Sequence, residues 1–143
     1  MLKKSMMAVL FSLVLAFMAS TSAFAAEAPA SPDVEKALVE IEKTNAQIYD
    51  EIEKAQEKSY ELYDKYVEDA AKAKDEKKVE GLTQKFEEET VKLISDLDHK
   101  TQDMTQKGVE KASKAGIEVE IEWVPVQFAD RVALIDPLRV VGW

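Results

Sequence analysis

Three side chains in the second half of the sequence have types and a spacing that could bind a metal ion. Asp96, His99 and Asp103 are three and four residues apart, so they would share one face of a helix. Carboxylate and imidazole groups with this spacing bind metals in helical bundles, where further helices supply the remaining ligands. This chain has a single histidine and therefore lacks a second acid-and-histidine motif. The sequence favours a solvated helix surface, and a metal-binding helical protein remains an alternative.

The sequence contains no side chain in a context that suits a nucleophile for covalent catalysis. The chain contains no cysteine, and His99 is not accompanied by a serine in a strand-to-helix elbow motif. The four glycines stand far apart, so the sequence offers no glycine-rich loop for binding phosphate. We therefore expect a non-enzymatic protein that holds no cofactor.

The first 25 residues have the pattern of a secretory signal peptide. Lys3 and Lys4 give a positively charged start, and residues 6–19 form an apolar run. Small residues then precede a cleavage point after Ala25. This pattern predicts that residues 1–25 are removed on export, so the protein is expected to be secreted, periplasmic or associated with the cell envelope.

An uncleaved membrane anchor is the alternative interpretation of the same segment. The small residues at the cleavage point disfavour it, and the apolar run is short for a bilayer span. No second apolar run of membrane length follows in the sequence. We therefore expect no stable membrane anchor after cleavage of the signal peptide.

The processed chain is strongly acidic. Removing residues 1–25 takes away two lysines and no acid, which leaves 17 basic residues against 28 acidic residues and a net charge of −11. Phosphate backbones and anionic lipid surfaces repel such a chain, so we expect no nucleic-acid partner. A basic or an uncharged protein partner fits this charge better, and self-association is expected from the apolar stripe or the tail described below. Because no disulfide can form without cysteines, the fold must depend on buried apolar surface.

Residues 26–32 predict a short linker, and residues 33–115 predict two long helices rich in lysine, glutamate and alanine. In the first helix, residues of one stripe are alternately four and three positions apart over more than five repeats, as in a coiled coil. If Asn45 is buried in this stripe, it would fix the register or the number of partners. The stripe consists of Val34, Leu38, Ile41, Asn45, Ile48, Ile52, Ala55, Ser59, Leu62, Tyr66, Asp69 and Ala73.

A charged stretch and a glycine separate the two predicted helices. Residues 74–78 are all charged and Gly81 follows, so we predict a turn within residues 74–81, with one unbroken helix as the alternative. The second helix should end at Gly116, because lysines precede this glycine and an apolar residue follows it. The two helices are therefore predicted to form an antiparallel hairpin.

Residues 116–143 change to a strand-like pattern. Apolar residues from Ile117 to Trp123 alternate with glutamates, which predicts a strand with one apolar face and one acidic face. Pro125 breaks the alternation, and residues 128–131 can turn the chain into a return strand. A two-stranded hairpin is marginal alone, so this tail must pack on the helices, on a copy of itself or on another protein.

Five side chains are candidate contacts with a partner. Tyr63 and Tyr66 widen the apolar stripe near the predicted turn, where packing within the protein is the alternative to a partner surface. Both tryptophans and both arginines occur in the tail, which makes Trp123, Arg139 and Trp143 the other candidates. We expect Trp143 to dock in the protein's own core, and the alternative is a strand offered to the sheet edge of a partner.

These patterns predict a mainly α protein, with a long antiparallel helical hairpin that resembles a coiled coil, followed by a small C-terminal β-hairpin or extended tail. The leading functional hypothesis is an exported, non-enzymatic structural or interaction protein that self-associates through its apolar stripe or its tail. The first alternative is a chaperone-like holdase of the cell envelope. The second alternative is a metal-binding helical protein.

Overall fold

The computed structural model describes residues 30–143 and confirms the mainly helical fold with small C-terminal strands. Two long helices, α1 (Pro32–Lys72) and α2 (Glu76–Lys114), pack against each other as an antiparallel hairpin. The predicted signal peptide 1–25 and most of the predicted linker 26–32 lie outside the described residues. In the described part of the chain, no helix is both long enough and apolar enough to cross a membrane.

The turn between the helices is shorter than the sequence predicted. The chain reverses over residues 73–75, whereas we expected the turn within residues 74–81. Asp75 starts the second helix early, because its carboxylate accepts a hydrogen bond from the backbone N–H of Lys78 at 2.7 Å. Gly81 is exposed within α2, and the helix continues past it because the residues around it favour a helix. The alternative of one unbroken helix is therefore wrong.

The end of α2 follows the predicted glycine signal. Gly116 has a φ of +77°, a conformation that glycine adopts without the strain of a Cβ. Its N–H donates to the carbonyl of Ser113, and the N–H of Ile117 donates to the carbonyl of Ala112. These two bonds pair carbonyls of the last turn of the helix. The chain then leaves the helix directly into the first strand.

The tail forms four short strands that pair as two antiparallel ladders. Strand β1 (Glu118–Ile121) pairs with β4 (Leu138–Gly142), and the ladder carries a bulge next to Glu118. Strand β2 (Val124–Gln127) pairs with β3 (Val132–Ile135). The predicted turn at residues 128–131 connects β2 to β3.

The two ladders are parts of one continuous two-stranded ribbon, here called the ribbon and comprising residues 118–142. Between the ladders, the N–H of Glu122 donates to the carbonyl of Pro137 at 2.9 Å. Glu122 and Pro137 are therefore paired in the same register as the residues of both ladders, so the pairing continues from one ladder into the other. The tail is therefore a single long hairpin that folds back along the helices.

The face of the ribbon that packs on the helices changes near the point where its two halves join. In the β1–β4 half, Val119 and Leu138 are more buried than the residues that follow them along their strands. In the β2–β3 half, the buried residues are Val126 and Ile135, whose side chains lie on the opposite face of the ribbon. This change corresponds to the broken alternation around Pro125 in the sequence. A two-stranded ribbon twists strongly, so opposite faces of its two halves can meet the helices.

Two apolar clusters hold the ribbon on the helical hairpin. The first joins both helices to β2, β3 and the turn between them, and the second joins the open end of the hairpin to β1 and β4. The apolar stripe of α1 is thus largely buried within one chain. The buried members of the first cluster are Ile48, Ile52, Ala55, Leu97, Val126, Phe128 and Ile135. Those of the second cluster are Ile41, Ala112, Ile117 and Leu138.

Candidate protein-interaction surface

The ribbon is anchored by an asparagine whose partner the sequence did not reveal. The Nδ2 of Asn45 donates to the carbonyl of Leu138 at 2.7 Å, and its Oδ1 accepts from the N–H of Leu138 at 2.9 Å. Leu138 also packs closely on α2, where a Cβ added to Gly108 would lie 2.4 Å from its Cδ1. Asn45 is only partly buried and its amide bonds the backbone of Leu138 in β4, so the burial in the stripe that would let it fix the register or the number of partners is not met.

The turn of the ribbon is fastened to both helices. The Oγ of Ser59, on α1, accepts from the N–H of Ala129 at 3.1 Å. On α2, the guanidinium of Arg131 binds both carboxylate oxygens of Glu87, at 2.8 and 2.6 Å. Arg131 also binds the carboxylate of Asp130. This charged hydrogen bonding lowers the pKa of Glu87 and of Asp130 below their ordinary values.

A buried carboxyl group lies where β3 meets β4. Asp136 is only 2 % exposed. Its Oδ1 lies 2.9 Å from the Oγ1 of Thr101, and that hydroxyl lies 3.1 Å from the carbonyl of Asp98. The hydroxyl of Thr101 donates to the carboxyl oxygen of Asp136 and shares its proton with the carbonyl of Asp98. Burial raises the pKa of the Asp136 carboxyl, the Thr101 bond partly opposes this, and the nearby Asp98 charge adds to it.

Asp136 is therefore expected to stabilise the fold more as the pH falls. Its folded pKa is raised, so its contribution is complete below the unfolded pKa of about 4 and is lost as the pH rises through the folded pKa. Asp136→Asn, which cannot titrate, should lose stability relative to the wild type on acidification, by at most about 1.4 kcal/mol per pH unit. Urea unfolding of both proteins across this window measures the difference, and parallel pH profiles would contradict the expectation.

The outer face of the β2–β3 half of the ribbon, turned away from the helices, exposes large apolar side chains. Trp123 is 54 % exposed, Val132 is 58 % exposed and Leu134 is 55 % exposed. In the ladder, Leu134 lies directly opposite Pro125, so the apolar residues of the two strands form one patch. We call Trp123, Pro125, Val132 and Leu134 the ribbon patch. A contiguous exposed patch of this kind is typical of a protein-interaction site.

A groove runs along the ribbon patch where strand β3 overhangs α2. The groove has a volume of about 380 Å³ and is lined by residues 131–135 on the strand side. On the helix side it is lined by Val91, Ile94, Ser95 and Asp98. Val91 is itself an exposed apolar residue. The apolar surface of the ribbon patch therefore continues onto the flank of α2.

The structure separates the five predicted partner residues into two regions. Tyr63 and Tyr66 lie beyond the turn of the ribbon, where Tyr66 stacks on Phe86 with ring centroids 4.9 Å apart. Tyr63 meets the same ring edge-on at 5.8 Å, and the Tyr66 hydroxyl lies 3.0 Å from Thr83 Oγ1. Packing between the helices thus accounts for Tyr66. Tyr63 remains exposed, and a partner surface there stays a prediction.

The other three predicted residues lie on or beside the ribbon. Trp123 belongs to the ribbon patch, and Arg139 binds the carboxylate of Glu120 directly across the ladder at 2.8 Å. This pairing occupies Arg139 within the chain. Trp143 is 43 % exposed, so the expected docking of Trp143 in the core is wrong. The ladder ends at the pair of Glu118 and Gly142, after the bulge, so Trp143 lies beyond the last paired residue of the ribbon.

The predicted metal ligands do not come together as a site. Asp96, His99 and Asp103 are all exposed on α2, and Asp96 forms an ion pair with Lys92 at 2.6 Å. Across residues 30–143, no group of three or more histidine, aspartate or glutamate side chains is placed to hold a metal ion. The observed arrangement therefore adds nothing to the metal-binding alternative.

Sequence reasoning missed the residues that define the interaction surface most clearly. Val132 and Leu134 were assigned to a return strand without a prediction of which face or edge would be exposed. The available signal was the uncharged run of residues 132–135, bounded by Arg131 and Asp136. Arg131 had a signal too, because the chain uses lysine everywhere outside the tail.

Comparison of the chain with protein-family models, with curated proteins and with solved structures gives no match. Function is therefore inferred from the ribbon patch and the groove beside it.

Proposed function

We propose that this is an exported, non-enzymatic interaction protein that self-associates through its ribbon. The observation that supports the proposal is the ribbon patch, where Trp123, Val132 and Leu134 are each more than half exposed. Full burial of an exposed large apolar side chain is worth about 1.5–3 kcal/mol, and covering the exposed half of each of these side chains with another protein surface gains roughly half of that. Tryptophan is also enriched among the residues that dominate binding energy.

The same geometry favours the tail over the helical stripe as the surface that associates. Ile41, Ile48, Ile52 and Ala55 of the stripe are buried by α2 and the ribbon. A stripe that is covered within the chain has little apolar surface left for a second copy. The ribbon patch has no such cover among residues 30–143.

The first test is the absolute mass of the processed protein in solution. The full chain, expressed with its own leader, is purified from the exported fraction and measured by light scattering coupled to size exclusion. We expect a mass of at least two processed chains, and mass spectrometry should find an N-terminus at Ala26. An N-terminus that retains residues 1–25 would contradict the export part of the proposal.

Matched variants link the association to the ribbon patch. The double variant Trp123→Ser, Leu134→Ser should weaken association at least tenfold, because it removes the two largest exposed apolar side chains of the patch. Val39→Ser removes an exposed apolar side chain from α1 and should leave the mass unchanged. A wild-type protein that remains monomeric at high concentration would contradict self-association.

A further inference from the structure

The alternation of hydrogen-bonded and non-hydrogen-bonded pairs along the ribbon determines which backbone groups face outward. The N–H of Phe128 donates to the carbonyl of Arg131, so this pair belongs to the hydrogen-bonded positions of the antiparallel ladder. Hydrogen-bonded and non-hydrogen-bonded pairs alternate, which puts Ala133 at a bonded position opposite Val126. The backbone N–H and C=O groups of Val132 and Leu134 therefore point away from β2, at the open edge of β3.

The opposite end of the same strand pair has its edge covered by the helices. The outward groups of Leu138 both bond to Asn45, and the carbonyl of Asp136 accepts from the hydroxyl of Thr105. Side chains of both helices thus complete the edge of β4 and the junction before it. A strand edge completed in this way has no free groups at these positions for a further strand.

The other side of the ribbon is protected by different means. Pro125 has no N–H to offer, and the carbonyl of Gln127 accepts from the Nε2 of Gln56 at 2.8 Å. On the β1 side of the ribbon the outward groups belong to Val119, Ile121 and Trp123, and these residues alternate with glutamates 118, 120 and 122, whose charges disfavour pairing with another copy of this acidic chain. Of the four described strands, β3 is the one with neither a proline nor a charged residue, and no side chain of a described helix bonds the outward groups of its Val132 and Leu134.

We infer that strand β3 pairs antiparallel with β3 of a second copy, with the two-fold axis at Ala133. This inference rests on the proposed function and names its contact. Around that axis, Val132 of one copy lies opposite Leu134 of the other, and both are positions with outward-facing groups. Two such pairs form four backbone hydrogen bonds and join the ribbons into a four-stranded sheet.

The side chains of β3 fit this two-fold arrangement. Val132 and Leu134 lie on the outer face, so the two copies bring four apolar side chains together there. Ala133 lies on the helix side at the axis, where the two copies approach and a small side chain avoids a clash. The flank of α2 with the exposed Val91 borders the groove under this edge, and the contact extends onto it.

The charge of the chain predicts how association of two copies at this edge depends on the salt concentration. Residues 132–135 are uncharged, so two processed chains, each of net charge −11, can meet at β3 without like charges on the paired strands. The remaining long-range repulsion is screened by salt. Association of two copies should therefore tighten as the salt concentration rises. A basic protein partner at the same edge would instead bind more weakly in high salt.

The absence of native cysteines allows a direct test with single-cysteine variants of the exported protein. At the axis, the two copies of residue 133 form a non-hydrogen-bonded pair with Cα atoms about 4.5 Å apart, within the roughly 4.4–6.8 Å range of disulfides. Ala133→Cys should form a disulfide-linked dimer under mild oxidation at least tenfold faster than Ile121→Cys. Ile121 is the matched control because it is exposed on the opposite strand of the ribbon.

A second pair of variants separates the backbone edge from the apolar side chain. Leu134→Pro removes an outward N–H without removing a ladder bond, and it should weaken dimerisation at least tenfold. Leu134→Thr keeps that N–H and should have the smaller effect. Circular dichroism checks that both variants keep the helical fold, and the Ala133→Cys result applies even if Leu134→Pro does not fold.

The outcomes distinguish this inference from the proposed function. An oligomer in which Ala133→Cys links no faster than Ile121→Cys would overturn pairing through β3 and leave self-association in place. Association that weakens with salt would also overturn pairing with a second copy. A monomeric wild-type protein would overturn the inference and the proposed self-association together.

Discussion

Replacement of Phe128 by alanine is expected to lower the free energy of unfolding by about 3–5 kcal/mol. Phe128 is fully buried in the first apolar cluster, at the point where the ribbon turns back between the two helices. Its loss leaves a cavity at the far end of the ribbon, where the remaining fastenings are polar and partly exposed. Urea unfolding followed by far-ultraviolet circular dichroism measures the change, at a protein concentration low enough to limit association.

Trp123→Ala is the matched control for this substitution. It removes a larger aromatic side chain from the same ribbon, but from an exposed position. We expect a change in the free energy of unfolding of less than about 1 kcal/mol. If both variants lost similar amounts, or if Phe128→Ala lost less than the control, the buried position of Phe128 would be contradicted.

Asn45→Ala is expected to lower the free energy of unfolding by about 2–6 kcal/mol, because it leaves two backbone groups without partners. Asn45 bonds both the N–H and the C=O of Leu138, and Leu138 is buried against Gly108. Each buried group left unpaired costs about 1–3 kcal/mol. Unfolding in urea gives the loss, and amide hydrogen exchange at Leu138 reports directly whether its N–H has lost protection.

Two further variants separate hydrogen bonding from other effects at this position. Gln47→Ala changes an exposed polar residue two positions along α1 and should alter stability by less than about 0.5 kcal/mol. Asn45→Asp keeps the acceptor for the N–H of Leu138 but sets a carboxylate against its carbonyl. That repulsion raises the folded pKa of the new acid, so this variant should recover stability as the pH falls. Equal stability of Asn45→Ala and Gln47→Ala would show that the Leu138 bonds contribute nothing.

These variants matter for function because they act on how the ribbon is held. If Asn45 no longer completes the edge at Leu138, the ribbon can separate from the open end of the hairpin while the two helices stay paired. The ribbon patch would then lose the support that positions it over α2. We expect Asn45→Ala to weaken self-association as well as folding, whereas Gln47→Ala should affect neither.

The sequence predicted the elements where a local signal specified the backbone. The stripe of α1 gave the first helix, and Gly116 ended the second because a single residue with positive φ suits a helix end. Alternation with glutamates gave the first strand, and the turn at residues 128–131 was also predicted. The turn between the helices ends earlier than predicted, because Asp75 caps the second helix and the chain is already helical at Gly81.

The interaction surface was predictable only in part. Trp123 could be named from its type and from its place in the tail, and the structure leaves it exposed in the ribbon patch. Arg139 and Trp143 were named on the same grounds, yet Arg139 is paired with Glu120 across the ladder. Side-chain type alone does not indicate which residue lies opposite in a ladder, and that pairing decides whether a charge is available.

By itself, the sequence determined a helical hairpin, its end at Gly116 and a strand-forming tail, because capping, periodicity and glycine conformation act over a few neighbouring residues. Only the tertiary structure decided that Asn45 bonds Leu138, 93 residues away, and not another helix. It also decided that Asp136 is buried and that the outward groups of Val132 and Leu134 lie at an open edge of the ribbon. These properties depend on which face of a twisted ribbon meets the helices. No local pattern records that choice, since the same alternation fits either face.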